Sequence, residues 1–339
     1  MSNNAIKINS LPVPTWNKLK VNESFIGALD TGTLKADISC ENSDVSYGQA
    51  YESSCPTGTG RDTDILFKDA VSIKLESGKK DKAYADFKGQ ESAGTAVLIE
   101  VGEGAELTLV ERIGSDGFDC MVRTYAKVAK GGTFHLVQIV TGTENSTTVC
   151  DVGADADDKA VIKLTRMYIS KGDMFSGTCI NLNGKSSELE SNTGYLVRSG
   201  KKLDMNLIAN HIGKKTVSNI TADGTLRENA QKVFRGTIDL RNGCAGANGR
   251  EEENVLLLGD DIVNKTIPLI LCSEEDVSGT HGATIGELSP DVLFYFGSRG
   301  ISKEDAERIM AASHLERLAS FTDSETAELI HKTIKEETT

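Results

Sequence analysis

Residues 272–281 gather side chains able to hold a soft or borderline metal: a thiol at Cys272, carboxylates at Glu274, Glu275 and Asp276, and an imidazole at His281. The same ten positions also read as the end of a strand, a solvated acidic turn and a hydrogen-bonded histidine. Two local elements position these groups. The apolar run Ile267, Leu269, Ile270, Leu271 reads as a buried strand that ends at Cys272. A Ser-Gly-Thr turn then delivers His281, with Gly282 directly after it.

The tract that must carry these elements runs from about residue 65 to 290. It is built of short β-type runs, among them AVLIEV (96–101), ELTLVER (106–112), TFHLVQIV (133–140), LDMNLIAN (203–210) and NVLLLG (254–259). Turn formers such as Gly131-Gly132, Asp223-Gly224 and Asn242-Gly243 separate them. No amphipathic helix interrupts the tract, which disfavours βαβ units and leaves a long sandwich or a solenoid of strands. The turns do not look like a series of two-residue hairpins, so a mainly β fold with parallel stacking, a β-helix, is the better reading.

Residues 1–64 read as an N-terminal arm followed by an irregular connection. LPVPTWNKLKVNES (11–24) carries Pro12, Pro14 and Trp16, and residues 32–64 are polar and rich in Gly and Ser. Residues 291–339 read as helical. Ser302 to Asp305 resembles a capping box, and a second helix is expected over 323–336. Such helices either cap an open solenoid edge or dock a partner.

Composition excludes several function classes. The chain has 339 residues, and its 37 basic against 50 acidic side chains give a net charge of −13. That charge repels phosphate backbones and argues against nucleic-acid binding. No apolar run reaches membrane-span length and no hydrophobic signal core opens the sequence, so no membrane association is expected. Seven dispersed cysteines without a CxxC pair indicate a reducing compartment, hence a cytoplasmic protein. No P-loop, HExxH or GxSxG motif occurs, so no ATP site of its own and no enzymatic activity are expected. DVGADADD (151–158) resembles a calcium loop but lacks its glycine and terminal glutamate.

LCSEEDVSGTHGATIGELSPDVLFYFGSRGIS, preceded by VFRGTIDLRNGCAGANGREEENVLLLGDD, resembles the C-terminal core of the SufB/SufD family, the scaffold subunits of SUF iron–sulfur cluster assembly. LPVPTWNKLKVNE, IEVGEGAELTLVER and HIGKKTVSNITADGTLRENAQKVFRG agree. The resemblance implies a right-handed parallel β-helix with C-terminal helices that bind a SufC-type ATPase. It also implies pairing with a SufB-like subunit through the β-helix, with a transient iron–sulfur cluster or iron shared between the two. Where SufB carries a cysteine this chain has Glu253, and Gly282 stands where SufB has glutamate; both departures point to the SufD branch. His281 coincides with the histidine that SufD is thought to contribute at the interface. Cys272, another family cysteine, and Glu253 or Glu274 are candidate helpers. The alternatives are a self-pairing SufB-like scaffold acting with SufC alone, including a homodimer in isolation, and a β-helix polysaccharide-active enzyme.

Overall fold

The computed structural model describes residues 5–338 except 16, 28–31, 34, 51–54, 68, 89–90, 115–116 and 170. From Asp69 onward, successive strands alternate between two facing sheets, and each pairs in parallel with the strand two places on. The result is a parallel β-solenoid of about eight turns. Its last coil is the strand Val263–Cys272 in the first sheet and the strand Ser278–Gly286 in the second.

Backbone chemistry at one corner explains why the chain coils rather than folding into hairpins. Gly104, Gly131, Lys159, Ser186, Lys215 and Gly246 all have positive φ. Their N–H groups donate to the next coil's turn: Gly104 to Lys130 O, Gly131 to Asp158 O, Lys159 to Lys185 O, Ser186 to Lys214 O and Lys215 to Ala245 O. A non-glycine residue in this conformation costs about 1–2 kcal/mol. The bond it makes satisfies an amide that the corner would otherwise leave unpaired. These positions recur every 27 to 31 residues, which is the length of one coil.

Inside the coil, alternate residues stack in columns along the axis. Leu109, Leu136 and Leu164 are register partners in one sheet, and Ala126, Ala154 and Ile180 in the other. Both outer faces are covered as well. On the first sheet the N-terminal segment lies over buried ion pairs, Arg235–Asp204 (2.6 Å) and Arg123–Asp151 (2.8 Å). Asn9 donates to Asp204 and the Val21 carbonyl accepts from Arg235. On the second sheet Val110, Ile139, Met167, Leu196 and Leu256 pack against Leu315, Leu318, Ile330 and Ile334. Strands buried on two faces read as continuous apolar runs, which is why TFHLVQIV does not alternate.

Three helices follow the last strand: α1 (Pro290–Ser298), α2 (Lys303–Glu316) and α3 (Ser324–Thr338). Ser302 caps α2, its Oγ accepting from the Asp305 N–H at 3.0 Å, as the sequence anticipated. Salt bridges hold α3 at both ends, Lys82 with Asp323 (2.9 Å) and Glu325 (2.8 Å), and Arg198 with Glu337 (3.2 Å). Helices α2 and α3 therefore lie on the flank of the solenoid and do not cap its open end.

One further expectation changes, and one dismissal gains its structural reason. Residues 32–64 are not simply irregular: Lys35–Ser39 and Asp44–Ala50 are strands, antiparallel to Lys80–Lys88 and Asp69–Leu75, that close the N-terminal end of the stack. As edge strands they expose much of their surface, and the resulting polar composition hid them. Residues 151–156 of DVGADADD belong to a strand in which Asp151 pairs with Arg123 and Asp155 accepts from Tyr125 and Asn181. Trp16 lies outside the described residues.

Candidate functional site

The open end is where the solenoid leaves hydrogen-bonding capacity unused. Among the described residues Val263–Cys272 and Ser278–Gly286 each have a neighbour on one side only, and no residue in either strand is fully buried. Pro268 lacks an N–H and is a tolerated residue in such an edge strand. Hydrogen-bonding edges of this kind are templates for another chain.

His281 sits in the middle of this last coil. It is exposed, and its Cα partner in the preceding coil is Glu251. Register partners in a sheet share a face, so His281 stands on the lumen-facing side, one coil beyond Glu251.

Below it the lumen turns polar. Glu251 and Glu253 both point inward and are buried. Glu253 is fully engaged: Lys232 Nζ and Tyr195 OH (3.1 Å) donate to its Oε1, and Thr266 Oγ1 donates to its Oε2 at 2.6 Å. Burial pushes the Lys232 amine down, and the Glu253 charge opposes that push. Burial, followed by the charge on Glu253, raises the Glu251 carboxyl to about 7, against the opposing pull of Lys232.

The other expected site residues are elsewhere. Cys272 is exposed, but its thiol donates to the Glu274 carbonyl at 3.1 Å. It pairs with Leu240, whereas the first-sheet residue facing His281 across the lumen lies four positions earlier, about 13 Å along the strand. Glu274 is a turn staple, accepting from the N–H groups of Gly243 (2.9 Å) and Glu275 (3.0 Å), which hold its carboxyl below the usual range. Among the described residues no three His, Cys, Asp or Glu side chains converge to hold a metal ion.

Sequence reasoning named Glu253 but missed its partners Lys232, Tyr195 and Thr266, and it missed Glu251. Strand alternation across Glu251-Glu252-Glu253 was the available signal, since it places the first and third on one face. A second surface stands apart from the lumen. Helix α1 has no buried residue, and Phe294 (78%) and Tyr295 (54%) are exposed. Among the described residues no helix is long and apolar enough to cross a membrane.

Comparison with known proteins gives a consistent match. Residues 85–313 fit the family model described as the SufBD core domain of SUF system FeS cluster assembly. The chain is 30% identical over 142 residues to the iron–sulfur cluster assembly protein SufD of Bacillus subtilis, covering 42% of this chain and 32% of that protein. It is 25% identical over 218 residues to SufD of Escherichia coli, covering 62% of this chain and 51% of the relative. A SufBD family protein of Synechocystis is 32% identical over 102 residues, covering 30% of this chain and 21% of that protein. The chain thus spans about half or less of the length of these relatives.

Proposed function

Because this chain belongs to the SufBD family of SUF iron–sulfur cluster assembly proteins, we propose that it is a SufD-type scaffold subunit without catalytic activity of its own. It pairs through the open end of its solenoid with a SufB-like subunit, and it docks a SufC-type ATPase through the C-terminal helices. Its cargo is iron or a nascent iron–sulfur cluster at the seam between the two solenoids, with the imidazole of His281 as this chain's ligand. Neutral imidazole suits Fe(II), while thiolates are the usual cluster ligands. A site shared between one imidazole and a partner's thiol is incompletely thiolate-ligated and therefore suited to release.

The observation that carries this reading is the placement of His281: exposed, mid-strand, on the last coil of a stack whose two edge strands have no further partner among the described residues. Glu253 supports the division of labour. A scaffold that works alone would want a thiol there, and this carboxylate is already committed to Lys232, Tyr195 and Thr266. Cys272 remains a candidate helper at the rim of the same coil. The exposed ring pair on α1 supports the ATPase surface, since adjacent exposed aromatics are typical of interface anchors.

Anaerobic co-purification of the chain with SufB-type and SufC-type partners, followed by iron and sulfide analysis, tests the proposal. A ternary complex that carries iron and sulfide is the expected result. A chain that forms a stable cluster-loaded assembly with the ATPase alone would overturn the SufD-type assignment.

A further inference from the structure

A carboxylate buried in a β-solenoid normally has a partner, because an unpaired buried charge is costly. Glu253 meets this condition with three donors. Glu251, two residues earlier on the same face, does not. It is 2% exposed, and among the described residues its carboxylate has no hydrogen-bond or ion-pair partner.

The surrounding backbone leaves room for this carboxylate. Across the lumen stands Gly236, and a Cβ built there would overlap the Glu251 carboxyl group. Any residue with a side chain at 236 would displace it. The next coil adds Pro268 in register with Gly236 and His281 in register with Glu251. Beyond His281 the described chain continues no further along the axis. The backbones that carry this carboxylate and the exposed imidazole are therefore one strand spacing, about 4.8 Å, apart at the mouth of the lumen.

We propose that Glu251 and His281 form a two-ligand mouth for a divalent first-row transition-metal ion, with the carboxylate oxygen supplied from inside the lumen and the imidazole nitrogen from the rim. Oxygen plus imidazole suits Fe(II), Co(II), Mn(II) or Zn(II), and the remaining positions are filled by water in the isolated chain. This deepens the role proposed for His281 and rests on it. It adds a ligand that holds the ion before any thiol from a partner reaches it. Glu253 is excluded from the set because its oxygens are occupied, and Cys272 because of its distance along the strand.

The test uses the full chain alone, stripped of metal and kept anaerobic, titrated with Co(II) and followed by visible absorption and by competition with a chromophoric chelator. Wild type is expected to bind one equivalent. Glu251→Gln and His281→Ala are each expected to weaken binding at least about tenfold. Glu252→Gln, on the outer face of the same strand, is expected to leave it unchanged. Thermal unfolding of each variant checks that the solenoid is intact, and Glu251→Asp provides a second, milder probe that should give an intermediate affinity. If wild type takes up no Co(II), or if Glu251→Gln binds as wild type does, the proposal is overturned and Glu251 is a buried neutral acid. Either of those results leaves the seam role of His281 standing, because that role is read separately, from cluster yield in the complex.

Discussion

Lys232 and Glu253 form an ion pair inside the lumen, with side chains 0% and 1% exposed. One comes from each sheet, so the pair ties the two walls of the solenoid together one coil below the open end. Removing one member of such a pair leaves an uncompensated charge and costs about 3–5 kcal/mol, whereas replacing both is nearly neutral. Lys232→Met should therefore lower unfolding stability by about 3 kcal/mol or more, and Lys232→Met with Glu253→Leu should recover most of the loss. Urea unfolding of the two variants checks this, and a double variant no better than the single would show that the pair does not act as a unit.

The neighbouring coil gives a steric prediction. A Cβ on Gly224 would overlap the ring of Tyr195, which is fully buried and donates to Glu253. A ring packed on all sides cannot yield as an exposed side chain does. Gly224→Ala should cost about 1–3 kcal/mol by overpacking. A denaturation midpoint equal to wild type would show that the lumen relaxes more easily than its packing implies.

Stability should also depend on pH through a histidine two coils below the open end. His211 is buried, with Nδ1 against Thr216 Oγ1 and Nε2 against Ser218 Oγ, both at 2.8 Å. Burial lowers its pKa from 6.5 to about 4, with Asp239 opposing the shift. Below pH 6.5 the unfolded chain takes up a proton that the folded chain refuses. The contribution of this ring is therefore complete above 6.5 and is lost as pH falls toward 4. At pH 5 the loss is about 2 kcal/mol relative to pH 7.5. Glu111 and Glu251, both raised to about 7 by burial, act in the opposite direction. The quantity to measure is thus the difference between wild type and His211→Asn, which should flatten the acid-side decline. Parallel pH profiles would remove His211 as its cause.

Helix α1 offers a test of the proposed ATPase surface. Phe294 and Tyr295 are exposed and support no core, so Phe294→Asp should leave the thermal midpoint within about 0.5 kcal/mol equivalent of wild type. The same variant should weaken binding to a SufC-type partner at least about tenfold if the ring is an anchor. Calorimetric titration reads the second quantity, and unchanged affinity would move the docking surface elsewhere.

The solenoid was legible in the chain because its apolar runs are separated by polar turns and its tract is free of helices. The coil period was not. Lys159, Ser186 and Lys215 occupy corner positions where Gly104, Gly131 and Gly246 stand in other coils, so the repeat is one of backbone conformation rather than residue type. The edge strands over 35–50 were hidden by polar side chains. At the site, His281 and Cys272 were both singled out by their chemistry, and the family motifs pointed to both again. Their separation along the strand emerges only once register is known. Glu251 was missed because three consecutive glutamates look like solvated surface until strand alternation sends two of them inward.

The central claim is that His281 completes a site shared with a partner subunit. It is tested most directly by measuring iron and acid-labile sulfide in the anaerobically reconstituted ternary complex, for wild type and for His281→Ala. The account predicts an intact complex in both cases, with the cluster content of the variant reduced about tenfold or more. An intact variant complex with undiminished iron and sulfide would contradict it.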